Sequence, residues 1–282
     1  MKKQEIIEQF NKQLIIENYS NQTVKNYLSA LKLFLEWIEN TKIKKVTDNE
    51  IKNYLFYCKT RRKYSFSSMK QVIATIGYLY KKVFHKPVPE TLNIELRKPS
   101  ILPTVLSVKD ISKILEVTKN LKHKAILILI YSAGLRMCEL KDLRKSDIDL
   151  DRMLIHIRQS KYNKDRYVML SKLILKGILK YIEQVQPKVW LFNGHTKQCH
   201  ISSTGVQWAM REARKKAGID KHATVHTLRH SYATHALEMG MDIETLRKNL
   251  GHASIQTTMI YLHIANLSSN NSFSPFDRIY NQ

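Results

Sequence analysis

Residues 225–263 read VHTLRHSYATHALEMGMDIETLRKNLGHASIQTTMIYLH, and the reading of the chain starts there. Apolar spacing predicts three helices, over 225–239, 242–249 and 254–262. His226 and Arg229 stand three apart on the first helix, so they share a face and can grip one ligand together. His252 follows Gly251 at a helix boundary, and Tyr261 comes nine residues later inside the third helix. Taken singly, an arginine is usually a surface residue and a helical tyrosine usually core. His226 and His230 are four apart, which is zinc-ligand spacing. However, Thr227 stands where a metalloprotease carries its glutamate base, and Arg229 would set a cation beside the metal. No metal is expected; a helix with a buried or capping histidine is the plain alternative.

Working outward, helices are predicted at 107–115 and 122–132, and after them comes Ala133-Gly-Leu-Arg136. The glycine break there can turn the chain and aim Arg136 into a cleft. Residues 153–157 and 166–170 alternate and are β-branched enough for two strands, with 158–165 as their hairpin connection. Helices follow at about 171–185 and 202–217. Upstream, four of the six prolines fall between Pro87 and Pro103. Proline removes a donor and disfavours helix before it, so 87–103 reads as a linker. It divides a helical domain, 1–86, from a second domain, 104–266, and leaves a polar tail, 267–282. In the first domain Leu28, Leu31, Phe34, Leu35 and Ile38 repeat at helical steps, Thr47 and Glu50 have capping-box spacing, and 67–84 supplies another helix. The fold class expected is mainly α with a small antiparallel β-sheet.

Lys and Arg number 47 against 24 Asp and Glu, a net charge of +23. Residues 1–86 hold 17 of the basic and 7 of the acidic residues, so the excess belongs to both domains. Such a surface releases counterions when laid against phosphates, which makes nucleic acid the first candidate partner. The basic turn Lys59-Thr-Arg-Arg-Lys63 is either a solvated loop or a phosphate contact. Other chemistries are disfavoured. The eight glycines are not grouped into a phosphate-cradling loop, so no nucleotide cofactor is expected, and no carboxylate cluster offers a two-metal nuclease site. Cys58, Cys138 and Cys199 form no CxxC pair. The N-terminus lacks a signal-peptide pattern, and the apolar run 125–131 is too short to span a bilayer, so a cytoplasmic protein without membrane contact is expected.

What remains is anion chemistry. A phosphodiester attacked by a hydroxyl develops charge on its non-bridging oxygens, and fixed cations must hold that charge when no metal does. Arginine suits the task because its planar fork meets two oxygens at once. Three segments then read together: Ala133-Gly-Leu-Arg-Met-Cys-Glu-Leu140, His226-Thr-Leu-Arg-His-Ser-Tyr-Ala-Thr-His235 and Leu250-Gly-His-Ala-Ser-Ile-Gln-Thr-Thr-Met-Ile-Tyr-Leu-His263. In wording, order and spacing they resemble the three catalytic boxes of the tyrosine recombinase family, the phage integrase and Xer proteins. The resemblance spans essentially the whole chain, since that family joins a helical core-binding domain to a catalytic domain of this length.

The resemblance implies a set of roles. Tyr261 would be the nucleophile that forms a 3′-phosphotyrosyl intermediate, and Arg136 and Arg229 would bind the scissile phosphate. His226 would help take the tyrosine proton, His252 would hydrogen-bond a non-bridging oxygen, and Glu139 would be a supporting carboxylate. Lys161 would be the general acid. The family often has Gly-Lys-Gly-Asn-Lys-x-Arg at that hairpin, where this chain reads Ser160-Lys-Tyr-Asn-Lys-Asp-Arg166, so Lys164 stays as the alternative. Resealing from the phosphotyrosine needs no ATP, in keeping with the missing nucleotide motif. By the same resemblance the partners would be double-stranded DNA sites and further copies of the chain. These would form a tetramer, homomeric or with a related recombinase, that exchanges strands through a Holliday junction for dimer resolution or for mobile-element integration. Phe273, Phe276 and Ile279 in the tail could dock on a neighbouring subunit or fold back on their own domain. A type IB topoisomerase and a non-catalytic DNA-binding protein on the same fold are the rival readings.

Overall fold

The computed structural model describes residues 2–38, 46–97, 99, 102–160, 164–196 and 198–268, and the chain divides into two compact units, Met1–Ile101 and Leu102–Gln282. The first unit is helical: α1 (Lys3–Ile16), α2 (Asn21–Trp37), α3 (Asp48–Thr60) and α4 (Phe66–Tyr78), the last running into a wider turn at Leu79–Val83. Side-chain caps set the starts. Ser20 Oγ accepts from Thr23 N, Ser65 Oγ accepts from Ser68 N, and Thr47 and Glu50 cap each other reciprocally. Phe10, Leu31, Phe34, Ile51, Ile76 and Leu79 fill the core these helices enclose.

The second unit holds α5 (Val108–Val117), α6 (Leu121–Ala133), α7 (Met137–Lys141), β1 (Ile148–Asp149), β2 (Leu154–Ser160), β3 (Lys164–Met169), α8 (Lys172–Val185), α9 (Ser203–Lys216), α10 (Val225–Glu238), α11 (Ile243–Leu250) and α12 (Gln256–Ser268). α6 packs against α8, α9 and α10 and is apolar around its circumference: Ala125, Ile126, Leu127, Leu129 and Ile130 are all buried. Ahead of α5, Leu106 N donates to the buried Ser231 Oγ of α10, which ties the entry of this unit to the helix carrying His226 and Arg229.

The strands form an antiparallel sheet in the order β1-β2-β3, with Ile155 opposite Val168 and Ile157 opposite Arg166. The hairpin strands reach further than the sequence suggests, leaving only 161–163 between them, with Lys164 paired to Ser160. β1 and α7 do not emerge from periodicity because two and five residues are too few for a strand or helix repeat to recur. The pleat turns Val168 and Leu170 into the core and leaves Tyr167 and Met169 exposed. Arg166 shares the inward parity with Val168.

A candidate active site built on helix ends

Two glycines make the site possible. Gly134 ends α6 at φ 60° and Gly251 ends α11 at φ 61°, left-handed conformations that favour glycine. Space is also short. A Cβ on Gly134 would lie 2.5 Å from Tyr232 Cδ1, and one on Gly251 would lie 3.0 Å from Arg166 Nη1. Each break leaves terminal carbonyls without an intrahelical partner.

Arginines take them. The last carbonyls of α11 and its cap accept in succession: Asn249 O from Arg166 Nε at 2.8 Å, Leu250 O from Arg229 Nη2 at 2.7 Å, and Gly251 O from Arg136 Nη2 at 2.8 Å. Arg229 Nη1 also reaches back to Gly134 O at 2.5 Å. A helix C-terminus carries partial negative charge, so two such ends converging on one spot favour cations there. Glu139 supplies the full charge. Its carboxylate accepts from Arg136 Nη1 at 2.8 Å and from Arg166 Nη1 and Nη2 at 2.7 and 2.8 Å, and stands 3.8 Å from Arg229. It also accepts from Arg136 N, which starts α7 and fixes the backbone from which Arg136 projects. Burial alone would raise the Glu139 pKa, but Arg166 and Arg136 hold it at about 2. Arg229 is 4% exposed, and burial with the neighbouring Arg136 lowers its pKa to about 10, so it stays charged at neutral pH.

Beside the arginines lie the histidines and the tyrosine. Arg229 Nη2 is 3.2 Å from His252 Nε2, and His252 Nδ1 is 2.9 Å from the hydroxyl of buried Thr258. The tautomers differ in what they offer. With the proton on Nδ1, His252 donates to Thr258 and accepts from Arg229; with Thr258 donating to Nδ1, it presents Nε2–H. Burial, then Arg229, Arg136 and Arg166, depress its pKa to about 3. Tyr261 sits on α12 one turn after Thr258, 4% exposed, with its ring stacked toward His252 at 6.4 Å. Its pKa is raised by burial and pulled back by Arg229 and Arg136. The hydroxyl meets His230 Nδ1 at 2.8 Å. His226, one turn earlier on α10, is exposed, and its pKa is lowered by partial burial and by Arg229 and Arg136.

Arg136, Glu139, Arg229, His252 and Tyr261 are therefore gathered at one place, with His226 at its open side. Lys161 lies outside the described residues, and Lys164 takes part through its backbone as the first residue of β3. Phe273, Phe276 and Ile279 also lie outside them. Two participants escaped the sequence reading. Arg166 had a signal, a charge at a strand position of the same parity as buried Val168 and Leu170. His230 stood within the zinc-spacing pair but had nothing to link it to a tyrosine thirty-one residues away. In the first unit, Lys59, Arg61, Arg62 and Lys63 are exposed at the end of α3.

Residues 104–267 match the phage integrase family, and residues 6–90 match the phage integrase N-terminal SAM-like domain. The y4qK protein of Sinorhizobium fredii is 34% identical over 267 residues, covering 93% of this chain and 85% of that protein. Tyrosine recombinase XerA of Pyrococcus horikoshii is 32% identical over 265 residues, 92% of this chain and 89% of that protein. Among solved structures, a lambda integrase tetramer bound to a Holliday junction aligns with a TM-score of 0.76 at 19% identity, covering 92% of this chain and 76% of that one, a likeness of fold. The chain belongs to the phage integrase family and is a tyrosine site-specific recombinase. Among the described residues no helix is long and apolar enough to cross a membrane.

Proposed function

We propose that the protein cuts and rejoins double-stranded DNA at a specific site, with Tyr261 Oη attacking the scissile phosphorus to form a 3′-phosphotyrosyl bond as the bond to the 5′-oxygen breaks. The observation that carries this reading is the convergence of Arg136 and Arg229, held on helix-end carbonyls, beside the Tyr261 ring. Preorganised guanidiniums cost no reorganisation when charge develops on the non-bridging oxygens. Arg229 retains N–H donors beyond its three bonds. His252 adds a third contact once Thr258 donates to Nδ1 and Nε2–H faces the phosphate. His226, exposed and in the field of both arginines, is the box histidine that the family resemblance gives for helping to take the Tyr261 proton. Lys161 protonates the leaving 5′-oxygen, with Lys164 as the alternative.

On the model of the related tetramer on a Holliday junction, four copies act on two DNA sites in the cytoplasm, resolving dimers or moving a mobile element. The 16-residue tail, 267–282, is the segment we assign to docking on a neighbouring subunit.

Trapping tests the core of this reading. A duplex selected by binding from a random-sequence pool, nicked at successive positions, should yield a covalent protein–DNA adduct in EDTA. Tyr261→Phe should yield none. An adduct that survives this substitution, or that forms only with magnesium, refutes the assignment.

A further inference from the structure

We propose that His230, rather than the His226 that the family resemblance names, is the catalytic base that receives the Tyr261 proton, a role that rests on the recombinase reading above. The geometry is direct. The phenol oxygen and His230 Nδ1 are 2.8 Å apart, and the two rings are tilted by 41° with centroids 5.6 Å apart, on helices α10 and α12 that pack along one another. Both partners sit where protons are held by neighbours rather than water: Tyr261 is buried and His230 half-buried.

Which way the bond runs follows from the groups around it. His226 and Arg229 flank His230 on α10, Tyr261 faces it from α12, and His252 lies across the site ahead of α12. Burial first, then His226 and Arg229, lower the His230 pKa to about 4, so the ring is neutral and one nitrogen carries a lone pair. Tyr261 keeps its proton at neutral pH because burial raises its pKa. A protonated phenol beside a lone pair donates. Tyr261 O–H therefore points at Nδ1, His230 carries its own proton on Nε2, and the lone pairs of Oη stay available for phosphorus.

The step balances. As the Oη–P bond forms, the phenolic proton passes to Nδ1 and His230 becomes an imidazolium; the P–O5′ bond breaks and that oxygen takes its proton from a separate donor, Lys161. In rejoining, the 5′-hydroxyl attacks, the Oη–P bond breaks and His230 returns its proton to Oη. A base of low resting pKa serves here because the scissile phosphodiester brings negative charge against Arg229, offsetting part of what depresses His230. The histidine gains basicity only when substrate is in place.

Two variants separate proton transfer from positioning. Asparagine places an acceptor oxygen close to where Nδ1 stands, but it takes no proton. On the selected nicked duplex at pH near 7, His230→Ala and His230→Asn should both form adduct roughly 10²-fold or more slowly than wild type. Replacing the bridging 5′-oxygen by sulfur should not rescue them, since that change relieves only the leaving group. Raising the pH toward about 9 should speed both variants about tenfold per unit as solvent makes the phenolate, while wild type changes little. Binding of the uncleaved duplex and the melting temperature report that the variants are folded. His230→Asn cleaving at close to the wild-type rate, or either variant rescued by the sulfur substrate, overturns the proposal. The wild-type adduct and its loss in Tyr261→Phe test the recombinase reading independently, so a failure of His230 alone is visible as such.

Discussion

Glu139 shows what one side chain can hold together. It is 7% exposed and meets three guanidiniums, on α7's cap, on β3 and on α10. Removing one member of a buried charge set leaves the others uncompensated, at about 3–5 kcal/mol. Glu139→Gln should therefore lower stability on that scale, even though the amide fills the same volume. Its pH dependence has a defined sign. The folded-state pKa of about 2 lies below the ordinary value of 4.5, so the contribution is fully present above about pH 4.5 and is lost as pH falls toward 2. Denaturant midpoints of wild type and Glu139→Gln should converge over that window; a constant gap would show that the carboxylate is not what the arginines need. The sequence identified Glu139 as a supporting carboxylate, three residues after Arg136. It did not identify Arg166, the residue that donates twice to that carboxylate, because the contact crosses from strand to helix and neither partner is near the other in sequence.

At the scale of elements, the C-terminus of α11 is the piece on which the site is built, and Gly251 controls it. Gly251→Ala would force an L-residue to φ 61° and press a methyl against Arg166 at 3.0–3.2 Å. The backbone term alone is worth about 1–2 kcal/mol. We expect the variant to melt earlier and to lose cleavage activity through Arg166 and Arg136; unchanged cleavage would show that the carbonyl row does not position them. The β2–β3 hairpin carries the other elemental test. Lys161→Ala should cleave normal DNA poorly and 5′-bridging phosphorothioate DNA well, because sulfur leaves without a proton. If Lys164→Ala shows that rescue and Lys161→Ala does not, the general acid is the first residue of β3. The helices of both units were readable because their apolar faces repeat and their caps are local. β1 and α7 were not, being too short for a repeat, and the hairpin's true extent depended on pairing to Ser160, which no local pattern encodes. The site was legible as a family wording of three boxes; how the boxes meet, through helix-end carbonyls as well as through side chains such as His230 and Tyr261, belongs to the folded structure.

At the scale of the whole molecule, positive charge is spread over both units, 17 basic residues of 47 lying before residue 87, so affinity for DNA should rest on many contacts and little on the few groups that perform chemistry. Within the second unit the chemical groups differ sharply in what the fold asks of them. Arg229 is a shared end-piece for α6 and α11: without it, Gly134 O and Leu250 O lose their donors deep in the protein, at about 1–3 kcal/mol each. Tyr261→Phe keeps the buried ring and gives up one hydrogen bond to His230, about 1 kcal/mol. At roughly 2–4 °C per kcal/mol for a unit of this size, Tyr261→Phe should melt within a few degrees of wild type and Arg229→Ala about 10 °C below it. Equal losses would contradict the end-piece role. The difference bears on how such a gene decays. A copy released from selection for recombination can shed the nucleophile's hydroxyl almost without penalty, but shedding the arginine costs it several kcal/mol of stability, about 2–6 in all. Silenced descendants should thus keep an intact-looking arginine box long after their chemistry has gone, and the tyrosine position is the one that separates a living recombinase from its relic.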